Sequence, residues 1–514
     1  MPNSKADDMT VVLDGSSLTI EDVVKVARAD AMVEITAESR DRISRCREMI
    51  QVKIDSHEIM YGVTTGIGEF SEVVLDSEQL EDFQKFLIYS HAAGIGKPLE
   101  EEVVRAAMCG RINVHCNGNS GGRAEITDKL VECLNLGITP VCAEIGSVGA
   151  CGDLSPMSQM AMTLMGEGEA YCDGKLMLSK DALRLRGIEP LVLQARDGLA
   201  LINGSNMLTG MAALTLHDAE LWIKTHDIAA AMTLEALNAN MIPYDSKLHE
   251  LRGFKGSMET AENLRELIAG SKIMEQKGKK VQDAYSLRST PQVAGSLRDA
   301  VKFAKSQVEI ELNGVGDNPI FIPEEARVIT GANFQGTPVA LPMEMVGIGL
   351  SMVAVLSERR LNRLTNPALS SGLPPFLTEK PGLHSGLMVA QYTACALVAE
   401  TRILSHPAAN QSIPAAADQE DFVSMGMTTT QKTKKILDNC FGVLAIEIIA
   451  AAQALDIRNV SPSPVITKIM ESIREVVPYL DDDRPLFYDN DAMKELLLSG
   501  KLVKIVEDLV PNFN

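Results

Sequence analysis

Apolar residues recur at helical spacing over 20–33, 38–54, 78–90, 207–235, 291–313, 340–361, 387–404, 431–455 and 463–476, whereas alternating apolar and polar runs are short and few. The pattern predicts a mainly α protein. Stretches such as LTGMAALTLHDAELW and MEMVGIGLSMVAVL are apolar over a broad face, which suits long central helices of a large bundle packed against several neighbours. Between the helical stretches lie polar loops rich in Gly, Asn and Pro: YGVTTGIG, NGNSGGR, GSVGACGDLSP, LINGSN, GVGDNP, ITGANFQGTP and AAADQEDFVSMG. Loops mounted on a rigid frame are where functional residues sit, and these seven can meet only in three dimensions. A soft boundary near residue 200 separates a loop-rich N-terminal part, 1–200, from 201–514, where long helices dominate. SPSPV at 461–465 reads as a turn and DDD at 481–483 as a solvated loop. No repeat of solenoid period is visible.

Composition narrows the class. With 514 residues, 46% of them hydrophobic, the chain can bury a large core. Its formal charge of −21 opposes binding to nucleic acid, which requires a basic surface. Glu344 and Glu447 interrupt the two most apolar runs short of the roughly 18 residues a membrane span needs. The polar, acidic start MPNSKADDMT has no leader pattern, so a cytoplasmic location is expected. Nine cysteines without a CxxC pair read as reduced thiols, mostly core packing. Eight dispersed histidines without HxxxH or HExxH spacing lead us to expect no metal site.

One loop has a specific chemical use. In GSVGACGDLSP, small residues flank Cys151, so the backbone can bend until the Gly152 nitrogen reaches the Ala150 carbonyl. Loss of water closes a five-membered imidazolone. Elimination of the Cys151 sulfur as hydrogen sulfide then leaves an exocyclic methylidene, giving 4-methylideneimidazol-5-one (MIO), a carbon electrophile made from Ala150, Cys151 and Gly152. Alone, GACGD is an ordinary tight turn.

The segment GSVGACGDLSPM resembles the signature of the histidine/phenylalanine ammonia-lyase family, usually GSVGASGDLAPL. YGVTTGIGEF, YSHAAGIGKPL, GEGEA, LINGSN, KVQDAYSLRSTPQV, ITGANFQGTPVA, LSERR, LPPFL, SGLMVAQYTA and QEDFVSMG follow in the family's order over nearly the whole chain. Cys151 departs from the usual serine, though a thiol can also leave by elimination.

The resemblance implies that family's largely helical fold, a homotetramer whose sites are each lined by loops from three subunits, and no external cofactor. It also implies roles for residues that singly would read as packing, loop or surface positions. Tyr61 matches the catalytic base; a phenol with pKa near 10 must be pushed toward phenolate by positive potential to serve. Arg288 matches the anchor of the substrate carboxylate, which a guanidinium can grip through two parallel bonds. Tyr285 lies one helical turn before it and matches a residue that handles protons beside the electrophile. Asn203 and Gln282 match polar groups that bond the prosthetic group or substrate, and Phe334 an aromatic beside the ring.

Two positions bear on the amino acid. Ser90-His91 resembles the histidine members, and Glu420 matches their acidic residue, where phenylalanine members carry glutamine. A carboxylate in an apolar pocket needs a partner, and an imidazole N–H supplies one. The expected reaction is elimination of ammonia from L-histidine to trans-urocanate. Gln335, where histidine members usually have histidine, YGVTTGIG, and DQEDF in place of NQEDH keep open a 2,3-aminomutase or a lyase acting on histidine, tyrosine or phenylalanine. A helical scaffold whose tripeptide never cyclises is the alternative from another class.

Overall fold

The computed structural model describes residues 10–76 and 79–513, so the leader reading of the first residues and the start of the 78–90 stretch lie outside the described residues. Among the described residues the chain is mainly helical, with four small sheets of two or three strands. The nine helical stretches read from the sequence appear as helices Ile20–Arg28, Ala37–Asp55, Gln79–His91, Asn206–Ala236, Thr290–Asn313, Thr337–Thr365, Met388–Leu404, Gly426–Arg458 and Pro464–Val476.

The chain folds into two compact units. One is drawn from Met1–His217, Ala304–Glu344 and Pro407–Gln431, the other from Asp218–Phe303, Met345–His406 and Lys432–Asn514.

In the first unit the 20–33 stretch is not one helix. It ends at Arg28, Asp30 turns the chain with φ +52°, and Met32–Ile35 continues as a strand parallel to Thr10–Leu13. Thr19 fixes the helix start: its hydroxyl accepts from Asp22 N at 3.1 Å, and acidic Glu21 and Asp22 complement the helix dipole. Glu101–Cys116 is buried at every position from Val103 onward, so its sequence has no polar stripe to betray it.

In the second unit, Ser463 caps the helix beginning at Pro464, its Oγ accepting from Ile466 N at 3.0 Å. The DDD segment is tied down rather than merely solvated. Asp482 pairs with Lys380 at 2.6 Å and His384 at 3.1 Å, and Asp483 accepts from the backbone of Ser385 and Gly386.

Helices Thr337–Thr365 and Gly426–Arg458 are long and apolar enough to cross a membrane by length and composition, contrary to the reading that their glutamates interrupt them. Most of each apolar window is buried in protein. Glu344 accepts from Ala408 N and Ala409 N, and Glu447 is held by Arg360, Ser357 and Thr233. Buried carboxylates persist because such partners offset their desolvation.

Candidate active site

The tripeptide 150–152 sits in a turn between strand Ala143–Ile145 and helix Leu154–Leu164. Gly149 and Gly152 pair across the turn, and Cys151 at its tip is left-handed, with φ +54°. Gly152 also pairs in parallel with Gly204, and Asp153 N donates to Gly204 O at 2.9 Å. A Cβ on Gly152 would lie 2.2 Å from the Gly204 carbonyl carbon, so only glycine fits this backbone approach. Asp153, fully buried, accepts from Ser147 Oγ and Leu208 N, both at 2.8 Å, while burial pushes its carboxyl up to about 6.

Above the turn opens a cavity of about 430 Å³ lined by Tyr61, Ala150, Cys151, His91, Asn203 and Glu420, with Ile67, Gly68, Glu69, Phe70, Leu154, Leu199, Ala416 and Ala417. The Cys151 thiol donates to Glu420 Oε1 at 3.8 Å; burial, then the Glu420 charge, pushes the thiol up to about 12. Burial also raises Glu420 above the usual carboxylate range, and its Oε2 is buried without a protein partner. His91 Nδ1 lies 2.8 Å from Leu87 O and 3.0 Å from Ser90 Oγ. A carbonyl can only accept, so Nδ1 carries the proton and Nε2 is a bare acceptor. Burial lowers the His91 pKa, keeping that ring neutral.

Tyr61 Oη accepts from Gly68 N at 3.1 Å. Its pKa is raised, first by burial, with Cys151 and Glu420 adding to the rise and Arg196 opposing it. Within the first unit, therefore, the pocket does not itself push Tyr61 toward phenolate. Asn203 is 2% exposed and donates through Nδ2 to Asn318 O at 3.1 Å, leaving a buried Oδ1 without a partner.

Other expected site residues do not line this cavity. Phe334 is half-buried, and its carbonyl accepts from Ser205 Oγ at 2.7 Å. Gln335 is occupied as a cap, its Oε1 accepting from Thr337 Oγ1 at 3.0 Å. Gln282, Tyr285 and Arg288 belong to the second unit. Tyr285 and Arg288 share the single-turn helix Tyr285–Arg288, the guanidinium lying 4.4 Å from the tyrosine ring centroid. Tyr285 is 71% exposed, and Arg288 Nε is buried without a partner.

Sequence reasoning did not single out Glu69 and Phe70, the last two residues of YGVTTGIGEF, which add a second carboxylate and an aromatic to the lining. It also missed Ala416 and Ala417. These begin a left-handed run through Asp418, with φ of 48°, 55° and 65°, costly for residues with a Cβ and invisible in an alanine-rich string.

The sequence model of the aromatic amino acid lyase family matches residues 18–475. The histidine ammonia-lyase of Alkaliphilus oremlandii is 43% identical over 502 residues, covering 97% of this chain and 99% of that protein. That of Symbiobacterium thermophilum is 45% identical over 497 residues, covering 96% and 97%. Among solved structures, the histidine ammonia-lyase from Trypanosoma cruzi superposes with a TM-score of 0.92 at 36% identity, covering 98% of this chain and 97% of that one. A tyrosine aminomutase from Streptomyces globisporus reaches 0.93 at 38% identity, covering 97% and 99%.

Proposed function

The chain belongs to the aromatic amino acid lyase family, and from that premise we propose that it is a histidine ammonia-lyase, converting L-histidine to trans-urocanate and ammonia in the cytoplasm. The observation that carries the choice of substrate is one cavity holding Cys151, the bare Nε2 of His91 and the unpartnered Oε2 of Glu420. A neutral hydrocarbon ring would leave that carboxylate oxygen desolvated and unpaired; an imidazole N–H satisfies it.

The residues fit an internally formed MIO. Gly152 lacks the Cβ that would block its approach to Gly204, Ala150 is small, and the Cys151 thiol faces open cavity. Asn203, through its free Oδ1, and Glu420 would border the ring. When formed, the group supplies a carbon electrophile that makes the substrate amine a better leaving group.

The chain's own residues do the rest. Tyr61 is proposed to take the β proton. Because the first unit leaves its phenol raised, the positive potential it needs must come from groups beyond that pocket. Arg288 is proposed to grip the substrate carboxylate, which would occupy its free Nε, with Tyr285 moving protons and Gln282 and Phe334 bordering the substrate. By likeness to the family, we propose that the chain forms a homotetramer in which neighbouring chains contribute loops to each site. Exposed Leu341, Met345, Ile348 and Met352 repeat at helical spacing on Thr337–Thr365 and give such an assembly an apolar seam.

Purified protein given L-histidine should develop urocanate absorbance in the near ultraviolet. Consumption of another amino acid without urocanate would overturn the proposal. A β-amino acid product found by chromatography would identify an aminomutase instead, an outcome the likeness to a tyrosine aminomutase makes worth testing.

A further inference from the structure

Behind the tripeptide lies a fully buried cluster of three charges that the proposed reaction does not use: Arg111, Arg196 and Asp317. The two guanidinium groups share one carboxylate. Arg111 Nη2 reaches Asp317 Oδ2 at 2.9 Å, and Arg196 Nη2 reaches Oδ1 at 2.8 Å.

Nearly every other donor of the pair points at a carbonyl of a loop or of the last turn of the short helix Asp197–Ile202. Arg111 Nε and Nη2 both donate to Ala200 O, the former at 2.8 Å, and Nη1 to Asn203 O at 2.9 Å and Gly316 O at 3.2 Å. Arg196 donates to Ser120 O at 2.7 Å, Asn318 O at 3.2 Å and Pro319 O at 3.3 Å. Loops and helix ends cannot satisfy their carbonyls as helix interiors do, so these bonds help to fix the backbone of 200–204 and 316–319.

That backbone is the surface on which the tripeptide rests. Gly204 pairs with Gly152, its carbonyl accepts from Asp153 N, and a Cβ on Gly204 would meet Gly316 O at 2.6 Å and Arg111 Nη1 at 2.8 Å. The arginine cluster, Gly204 and Gly152 therefore form a stack without slack. We propose that Arg111, Arg196 and Asp317 are positioning residues for ring closure, holding Gly204 so that Gly152 is presented to the Ala150 carbonyl. The inference rests on the reading that the tripeptide closes.

The step they serve balances within the chain and water. The Gly152 nitrogen bonds to the Ala150 carbonyl carbon. Its proton, the carbonyl oxygen and the Cys151 amide proton leave as water, forming a C=N bond. The Cys151 Cα proton passes to solvent, the Cβ–Sγ bond breaks, and sulfur leaves with a solvent proton as hydrogen sulfide. Closure depends on a close intramolecular approach, the class of reaction in which a small displacement is most costly.

The test is a time course of intact mass on full-length chain made by cell-free synthesis, comparing wild type, Arg111→Lys and Asp317→Asn with Glu447→Gln, which breaks a buried pair in the other unit. Folding is checked by circular dichroism, and only folded chains are scored. Wild type should lose one water and one hydrogen sulfide; if it does not, the reading of the tripeptide fails and not the positioning role. Given wild-type closure, Arg111→Lys and Asp317→Asn should close on the order of 10- to 100-fold more slowly, while Glu447→Gln closes at the wild-type rate. If Arg111→Lys does not fold, Asp317→Asn decides. Folded Asp317→Asn closing at the wild-type rate, or Glu447→Gln slowing as much, would overturn the proposal.

Discussion

Two regions of this protein bury arginine against carboxylate, and they use the pair differently. In the second unit, Arg360 on one long helix grips Glu447 on another through bonds of 2.6 and 2.8 Å, and Ser357 and Thr233 complete the carboxylate's coordination. All four side chains stand on helices whose backbones already satisfy themselves, so the network joins side chains to side chains. In the first unit, Arg111 and Arg196 spend one donor each on Asp317 and most of the rest on carbonyls of loops and of one short helix's last turn. The same chemistry locks helices together in one region and shapes irregular backbone in the other. A buried ion pair is thus weak evidence of role until its remaining donors are followed.

Substitutions in each region should separate the two uses of the pair. The largest effect is expected from Cys151→Ala, which removes the leaving group: lyase activity should vanish and the mass should show no loss of hydrogen sulfide, while the protein stays folded. Retained turnover would detach the activity from the tripeptide altogether. Cys151→Ser, by contrast, should close with loss of two waters and remain active.

Next comes Glu447→Gln, expected to cost about 3–5 kcal/mol in denaturant unfolding because Arg360 is left buried and uncompensated. Ring closure in the surviving folded protein should be untouched. A joint loss of stability and closure would erase the distinction between the two regions.

Glu420→Gln should lower kcat/KM for histidine by about 10- to 100-fold, the worth of a charge-assisted hydrogen bond of about 1.5–3 kcal/mol. A neutral aromatic substrate, if turned over, should lose less. Equal losses would remove Glu420 as the selectivity residue.

The smallest effect is in pH dependence. Glu420 must be ionised to pair with an imidazole, and its pKa is raised. Histidine turnover should therefore fall with acid through a pH above the ordinary carboxylate value of about 4.5, and this limb should be absent in Glu420→Gln. His91, with its pKa lowered from 6.5 by burial, is neutral at neutral pH. An acid limb unchanged in Glu420→Gln would assign it to another group.

Much of the fold was legible because most of its helices keep an exposed face, while Asn206–Ala236, which has none, is long enough to be read from its apolar run alone. The central helix Glu101–Cys116 was not, since burial from Val103 onward leaves no periodicity to read. The 20–33 stretch misled because apolar spacing carried on past Asp30, where the backbone turns left-handed and a strand begins. At the site, Tyr61, His91, Ala150, Cys151, Asn203 and Glu420 were nameable from their loops and share one cavity, whereas Gln282, Tyr285 and Arg288 do not line it. Arg111 was hidden for the opposite reason. Inside MCGRINVHC it looks like any helical arginine, and only three dimensions bring Ala200, Asn203 and Gly316 to its donors.

If the tripeptide closes as proposed, the left-handed turn at Cys151 is a single-use part. Its φ of +54° and the pairing of Gly149 with Gly152 would then belong to a precursor conformation, consumed on closure. Mutational libraries ranked by turnover would therefore merge two unrelated defects, chains that never mature and mature chains that work poorly. Counting matured chains first separates an assembly phenotype from a catalytic one, and the platform under Gly152 is where the two would most easily be confused.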